Sequence, residues 1–204
     1  MTGETTDLQV SPVEPCHTEQ VRELWNDRLG APETAMDQWI QHGLNERRPT
    51  TVYVATVGSD VVGFGICTIG GAEWVDSYIN HPDVTVSCWP DTGVIHSLAV
   101  ATEYESQGIA TTLVSWQLHH LTINDADGAL AVSWHRENHY DSRPLFRKFG
   151  FEADAVIPDF YTGSTDDTYC VDCENGCECG STVFTRNLPY EQSETQPTNY
   201  PQPD

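Results

Sequence analysis

Val94-Ile-His-Ser-Leu-Ala-Val-Ala-Thr-Glu-Tyr-Glu-Ser-Gln-Gly-Ile-Ala-Thr-Thr-Leu113 reads as a strand, a tight turn and the opening of a helix. Val94, Ile95, Leu98 and Val100 form an apolar run of strand length, and Gly108 stands where the chain turns into the amphipathic segment Ile109 to Leu121. The first amides of a helix lack internal partners and lie at the positive end of its dipole, so the joint suits a pyrophosphate. Gly108 and Ala110 are small enough to let a phosphate approach the backbone. Taken alone, a glycine before a helix is as readily a packing residue as part of an anion site.

The surroundings of the turn add a family likeness. Glu105-Ser-Gln-Gly-Ile-Ala110, after a Leu-Ala-Val strand, resembles the central motif of the GNAT acetyltransferase superfamily, Gln/Arg-x-x-Gly-x-Gly/Ala. It fits at Gly108 and Ala110 and departs at Glu105, where the family usually has Gln or Arg. Leu145-Phe-Arg-Lys-Phe-Gly-Phe151 resembles the family's later Leu-Tyr-x-Lys-x-Gly-Phe box, in the right order and at a plausible distance.

The resemblance covers Leu8 to Asn187 and implies an α/β (α+β) fold. A central mixed, twisted sheet of about six or seven strands would be flanked by helices and splayed between parallel fourth and fifth strands. It also implies acetyl-CoA as co-substrate, with Glu105, Ser106, Gln107, Gly108, Ile109, Ala110 and Thr111 around its pyrophosphate. The pantetheine arm would lie in the splay and pair with the backbone of Leu98 and Val100 like an extra strand, at the kind of opening where open α/β sheets bind ligands. Asn138 and Phe146 are further implied cofactor contacts. Phe146 occupies the place of a tyrosine that often protonates the departing thiolate, which leaves Tyr140, Ser142 or a bound water for that task.

The 204 residues fit one domain with an ample core: loose residues 1–7, a catalytic unit over 8–187 and a polar, proline-bearing, disordered tail over 188–204. Against 31 acidic residues stand 9 basic ones, for a formal charge of -22, and Lys148 is the one lysine. An acidity spread along the whole chain resembles adaptation to high salt, where charge is screened, and points to a halophilic archaeal host. The same charge disfavours nucleic acid and anionic membranes as partners. No apolar run approaches the roughly 20 residues of a membrane helix, and Met1 to Val10 lacks the blocks of a signal peptide, so a soluble, cytoplasmic monomer or homodimer is expected.

Along the chain, Leu8, Val10 and Val13 alternate as a first edge strand. Val21, Leu24, Trp25 and Leu29 share one face of a helix starting near Thr18 or Glu19 and broken by Gly30-Ala-Pro, and Ala35, Trp39 and Leu44 suggest a second helix ending near Arg47. Trp25, Trp39 and His42 line a substrate pocket or, as is commoner for aromatics at helical spacing, the core. Thr51 to Val57 and Val61 to Ile69 form a hairpin about Gly58-Ser-Asp. Residues 70–92 read as an insertion that covers the acceptor cleft or closes over core. Ala129 to Trp134, Phe151 to Ile157 and Ser181 to Arg186 are later strands, with a brief helix over Pro144 to Phe149.

Acetyl transfer to an amine needs a proton acceptor and a stabilised oxyanion. His96 is the candidate base, because His-Ser-Leu-Ala-Val resembles the His-x-Leu-Ala-Val strand of arylalkylamine acetyltransferases, where a histidine is implicated in proton removal; a pKa near neutrality would suit it. A histidine satisfied by hydrogen bonds on a buried strand is the alternative. The expected acceptor is a small-molecule amine or a protein N-terminus, and the second reading is an acyl-CoA-binding or regulatory module with weak or no catalysis. Separately, the 170–179 loop packs Cys170, Cys173, Cys177 and Cys179 into ten residues. Four thiolates make a complete tetrahedral set for a structural zinc, though free or redox thiols and disulfides are alternatives.

Overall fold

The computed structural model describes residues 7–30, 33–45, 49–81, 84–136, 141–161, 173 and 177–188. Seven strands form one sheet in the order β1-β2-β3-β4-β5-β7-β6. β1 (Leu8–Pro12), β2 (Thr51–Val57), β3 (Asp60–Gly70) and β4 (Thr92–Val100) follow one another antiparallel, and the β2–β3 hairpin turns at the expected glycine. β5 (Gly128–Trp134) joins β4 in parallel, and the last strand, β7 (Ser181–Asn187), inserts between β5 and β6 (Glu152–Ile157).

Both faces of the sheet are covered, so its inner strands read as apolar runs rather than as alternations. In β2, Val52 and Val54 face one core with α1 (Thr18–Arg28) and α2 (Glu33–Gly43), while Tyr53 and Ala55 face the other with α4 (Ile109–Ile123). Val21, Leu24 and Trp25 are buried, as their spacing predicts. α2 stops at Gly43, short of the expected Arg47, where glycine ends the helix against Val52. The side chain of Ala35 lies outside the described residues.

The 70–92 segment contains a helix that the sequence reading passed over, α3 (Ala72–Ile79). It buries Val75 and Ile79, one turn apart, against Val94, Leu130 and Ile157. The segment therefore closes over core and also sends Tyr78 toward β4. At its end Trp89 lies on Gly128, where an added Cβ would stand 2.3 Å from the indole. Gly128→Ala is expected to lower the unfolding free energy by about 1–3 kcal/mol through overpacking, seen as a lower urea midpoint at unchanged m.

β4 and β5 pair only from Thr92↔Gly128 to Ile95↔Ala131, and beyond these residues the two strands part. This is the expected splay. The short helix α5 (Arg143–Lys148) follows β5 on the α4 face and buries Phe146 there. Leu188 continues past β7, donating its amide to the Asp127 carbonyl at 3.0 Å and packing on the same core. Among the described residues no helix is long and apolar enough to cross a membrane.

Candidate active site

The site begins with an irregularity in β4. Its pairing with β3 runs Ile66↔Ser97 and then Cys67↔Ile95, which leaves His96 as the extra residue of a β-bulge. The bulge reverses the alternation of the strand: Ile95 faces the α4 core before it, and Leu98 and Val100 face that core after it. His96 is thereby turned toward α2 and α3, and the edge of residues 97–100 that faces the splay carries no strand among the described residues.

After β4 a 3₁₀ turn over Thr102–Tyr104 leads to Gly108, the residue before α4, at φ 85° and ψ 0°. This left-handed conformation comes at little cost only to glycine. The first helical hydrogen bond runs from the Thr112 amide to the Gly108 carbonyl at 3.0 Å, so the amides of residues 109–111 have no intrahelical acceptor. They open on a cleft of about 470 Å³. Of the predicted cofactor contacts, Leu98, Val100, Glu105, Ser106, Gly108, Ile109, Ala110 and Thr111 all line it. Gln107 does not; its side chain turns back to donate to the Glu103 carbonyl at 3.1 Å. Asn138 and Tyr140 lie outside the described residues.

The cleft also holds arginines that the sequence reading missed. Arg28, in the last turn of α1, forms an ion pair with Glu105 and donates to Thr102 Oγ1 at 2.7 Å. The carboxylate at the motif's departing position is thus matched by a guanidinium, with both side chains less than a fifth exposed. Arg136 lies over the Trp134 ring, 4.6 Å from its centroid, and donates to the Arg28 carbonyl at 2.6 Å. Asp141, the other acid lining the cleft, is bonded by Arg143 at 2.8 Å, and that hydrogen bond holds its carboxyl below the ordinary value. Both acids that line this cleft among the described residues are paired, so an acidic chain presents here an opening that admits anions.

A second cavity of about 290 Å³ adjoins the first, the two sharing Leu29, Leu98, Trp134 and Ser142. Its walls are rings, from Trp25, Tyr78, His96, Trp134, Phe146, Phe160 and Tyr161, and among the described residues no acid lines it. The indole nitrogens of Trp25 and Trp134 are buried donors with no hydrogen-bond partner among the described residues. Trp39 packs against His96 with the rings tilted and their centroids 4.2 Å apart, and His42 meets Trp39 edge to face at 6.0 Å.

His96 is half-buried between Trp39 and Tyr78, and its Nδ1 lies 2.7 Å from Ser97 Oγ. Desolvation among these rings lowers its pKa to about 4, well below the neutral value expected from the sequence. Phe146 is 3% exposed and packs on Phe151 and Phe184, so it forms a wall of the ring-lined cavity rather than of the anion cleft. One turn before it stands Ser142, which borders both cavities and has its hydroxyl 2.7 Å from Ser133 Oγ. In the cysteine loop, the sulfurs of Cys173, Cys177 and Cys179 all lie within 4.8 Å of one another. Cys170 lies outside the described residues.

Comparison with known proteins agrees with this geometry. Residues 18–151 match the model of the acetyltransferase (GNAT) family. The fold is that of the Arabidopsis thaliana protein NAA60 in complex with acetyl-CoA, at 15% identity and a TM-score of 0.65 over 89% of this chain and 99% of that one. It is also that of a NatC complex bound to Gag peptide and CoA (15% identity, TM-score 0.63, 90% and 99% covered). A Bacillus subtilis acetyltransferase in complex with CoA is similar in the same way (17% identity, TM-score 0.62, 90% and 100% covered). No curated protein matches the sequence. Since the family model spans more than half of the chain, including the splayed strand, the glycine turn and the Leu-Phe-Arg-Lys-Phe-Gly-Phe box, this protein belongs to the GNAT family of acetyltransferases, and it is an acyltransferase.

Proposed function

We propose that this acetyltransferase takes acetyl-CoA as donor and acetylates the primary amine of a small molecule or a protein N-terminus by direct attack on the thioester. One observation carries the reading: an anion-accepting cleft at a helix N-terminus meets a ring-lined cavity at Leu98 and Ser142, beside a strand edge left open by the splay. Solved neighbours hold acetyl-CoA, or CoA with a peptide, on the same fold. When bound, the thioester supplies the activated acetyl group.

The chain's own residues would do the rest. The amides of residues 109–111 and the dipole of α4 hold the pyrophosphate, and the open edge of β4 pairs with the pantetheine arm. A backbone amide near Leu98 or Ala99 receives the charge that develops on the carbonyl oxygen. His96, neutral above about pH 5, accepts the proton released by nitrogen as the N–C bond forms. The C–S bond breaks, and the thiolate takes a proton from the Ser142 hydroxyl or from water. With a parent thiol pKa of roughly 8.5, it is a fair leaving group without a tyrosine at position 146.

The ring-lined walls, which carry no acid among the described residues, select an amine that bears an apolar or aromatic group, whose ammonium meets ring faces rather than a carboxylate. Acetyl-CoA consumption with an amine panel at molar salt tests this reading. Arylalkylamines or peptides with apolar first residues should exceed polyamines in kcat/KM. The acidic composition motivates the salt and a cytoplasmic setting in a halophile. The replaced tyrosine at Phe146 and the depressed His96 favour the second reading, an acyl-CoA-binding or regulatory module with weak or no catalysis, which predicts binding with little or no turnover on any amine.

Glu105 supplies a further test. Its carboxylate answers Arg28 and not the ligand, so Glu105→Gln should change acetyl-CoA affinity by less than about fivefold, as for a modest ion pair. Isothermal titration giving a hundredfold loss would instead assign the carboxylate a direct role.

A further inference from the structure

We propose that the thiolates of Cys173, Cys177 and Cys179 hold one zinc ion, and that this ion fixes the Phe160–Tyr161 wall of the ring-lined cavity. Cys173 Sγ and Cys179 Sγ are 3.8 Å apart, and Cys177 Sγ lies within 4.8 Å of both. A disulfide requires a sulfur separation near 2 Å, so the Cys173–Cys179 pair is not one. Two thiolates bound tetrahedrally at Zn–S distances of about 2.3 Å stand roughly 3.8 Å apart, which is the separation found here. All three residues are half-buried. On binding, each thiol releases its proton to solvent as its sulfur–metal bond forms, and the ion sheds hydration water. Sulfur donors in tetrahedral array select zinc over the oxygen-preferring calcium and magnesium.

The ligand-bearing segment is fastened to the acceptor side of the site. The Tyr161 amide donates to the Cys179 carbonyl at 3.2 Å, and the His135 amide to the Gly180 carbonyl at 2.9 Å. Tyr161 packs against Trp134 with the rings tilted and their centroids 4.9 Å apart, and both rings line the cavity that also contains His96. Metal at the three sulfurs would therefore hold Cys179, through it Tyr161, and so the shape of the acceptor wall, at a distance from the glycine turn. This second half of the proposal rests on the acceptor reading of the cavity. The metal site itself does not.

The test uses full-length protein purified without chelator. Elemental analysis should give close to one zinc per chain, and cobalt exchanged into the site should show thiolate-to-metal charge transfer in the near ultraviolet. Cys173→Ser, Cys177→Ser and Cys179→Ser should each weaken or abolish both signals. Because such variants can misfold, the wild type is also stripped with chelator and reloaded with zinc while its circular dichroism is followed. Stripping should raise KM for the amine by roughly tenfold and leave that for acetyl-CoA within twofold, and reloading should restore it, the size expected of a group that positions others. Protein without metal whose thiols titrate freely, or a Cys173–Cys179 disulfide found by mass spectrometry, overturns the site. Stoichiometric zinc whose removal leaves the amine KM unchanged overturns the link to the wall. A protein with zinc but no acetyl transfer would reject the functional reading and leave the metal site standing.

Discussion

Gly108→Val is expected to weaken acetyl-CoA binding by roughly a hundredfold or more, the loss of about two hydrogen bonds to charged phosphate oxygens. Gly108 sits at φ +85°, and among the described residues a Cβ placed on it meets no atom within 4 Å other than those of its immediate chain neighbours. The fold leaves that volume empty, so a valine side chain there obstructs the approach to the backbone amides of α4 and crowds nothing else. Backbone strain is a separate effect, on the order of 1–2 kcal/mol for a residue with a Cβ held in the left-handed region. Gly108→Ala carries most of that strain with less bulk and separates the two effects. Both variants should lose similar stability in urea, while titration with acetyl-CoA should show the larger loss for valine. Valine binding as tightly as wild type would remove this turn from the cofactor site.

The turn was legible because its chemistry is local: strand, glycine and helix start lie within twenty residues of one another. Most elements were readable for the same reason, since Val21, Leu24 and Trp25 or Ile109, Leu113 and Leu121 repeat at helical spacing whatever their partners are. α3 was not, because eight residues with two buried positions, flanked by Gly70, Gly71 and prolines, carry too little periodicity to stand out from a loop. The insertion of β7 between β5 and β6 was equally hidden. That pairing is between segments far apart in the chain, and periodicity says which face is buried but not which strand lies alongside.

At the site the same distinction holds. Arg28 and Glu105 are 77 residues apart, and nothing near either one announces the other. The motif's departure at Glu105 therefore gave no sign of a partner, whereas in the folded protein the carboxylate is one half of an ion pair. The bulge at His96 did leave a trace. Val94 and Ile95 before it and Leu98 to Val100 after it fit no single alternation, and a phase change within a strand is the mark of a bulge. Position 146 was assigned to the cofactor by resemblance; the fold makes Phe146 a core aromatic of the neighbouring cavity and brings the Ser142 hydroxyl to the junction of the two. The cysteines drew attention by spacing alone, and three of the four converge.

His96→Gln is expected to lower kcat by roughly a hundredfold, with little change in acetyl-CoA binding, as for loss of a general base. The depressed pKa makes the pH profile the more telling measurement. With a pKa of about 4 the imidazole is unprotonated across the assay range but too weak a base to deprotonate an ammonium, so the amine sheds that first proton to solvent before it attacks. The nitrogen becomes a far stronger acid once it bonds to the carbonyl carbon, so even a weak base suffices at that stage. Wild-type kcat/KM should then climb close to tenfold per pH unit from about pH 5.5 until the amine's own pKa is approached, and drop more steeply below about pH 5 as His96 takes up a proton. In His96→Gln the slope above about pH 5.5 should be the same at a lower rate, and the extra acid-side drop should be absent. The fold supplies a second readout with a definite sign. A histidine at about 4 when folded and near 6.5 when unfolded gives stability that is present above pH 6.5 and lost as the pH falls toward 4, because the unfolded chain takes up the proton first. His96→Gln should flatten the acid side of the urea-midpoint curve in that window whether or not the residue is catalytic. A flattened stability curve with an unchanged pH-rate profile would make His96 a packing residue of the bulge, and a change in both would make it the base.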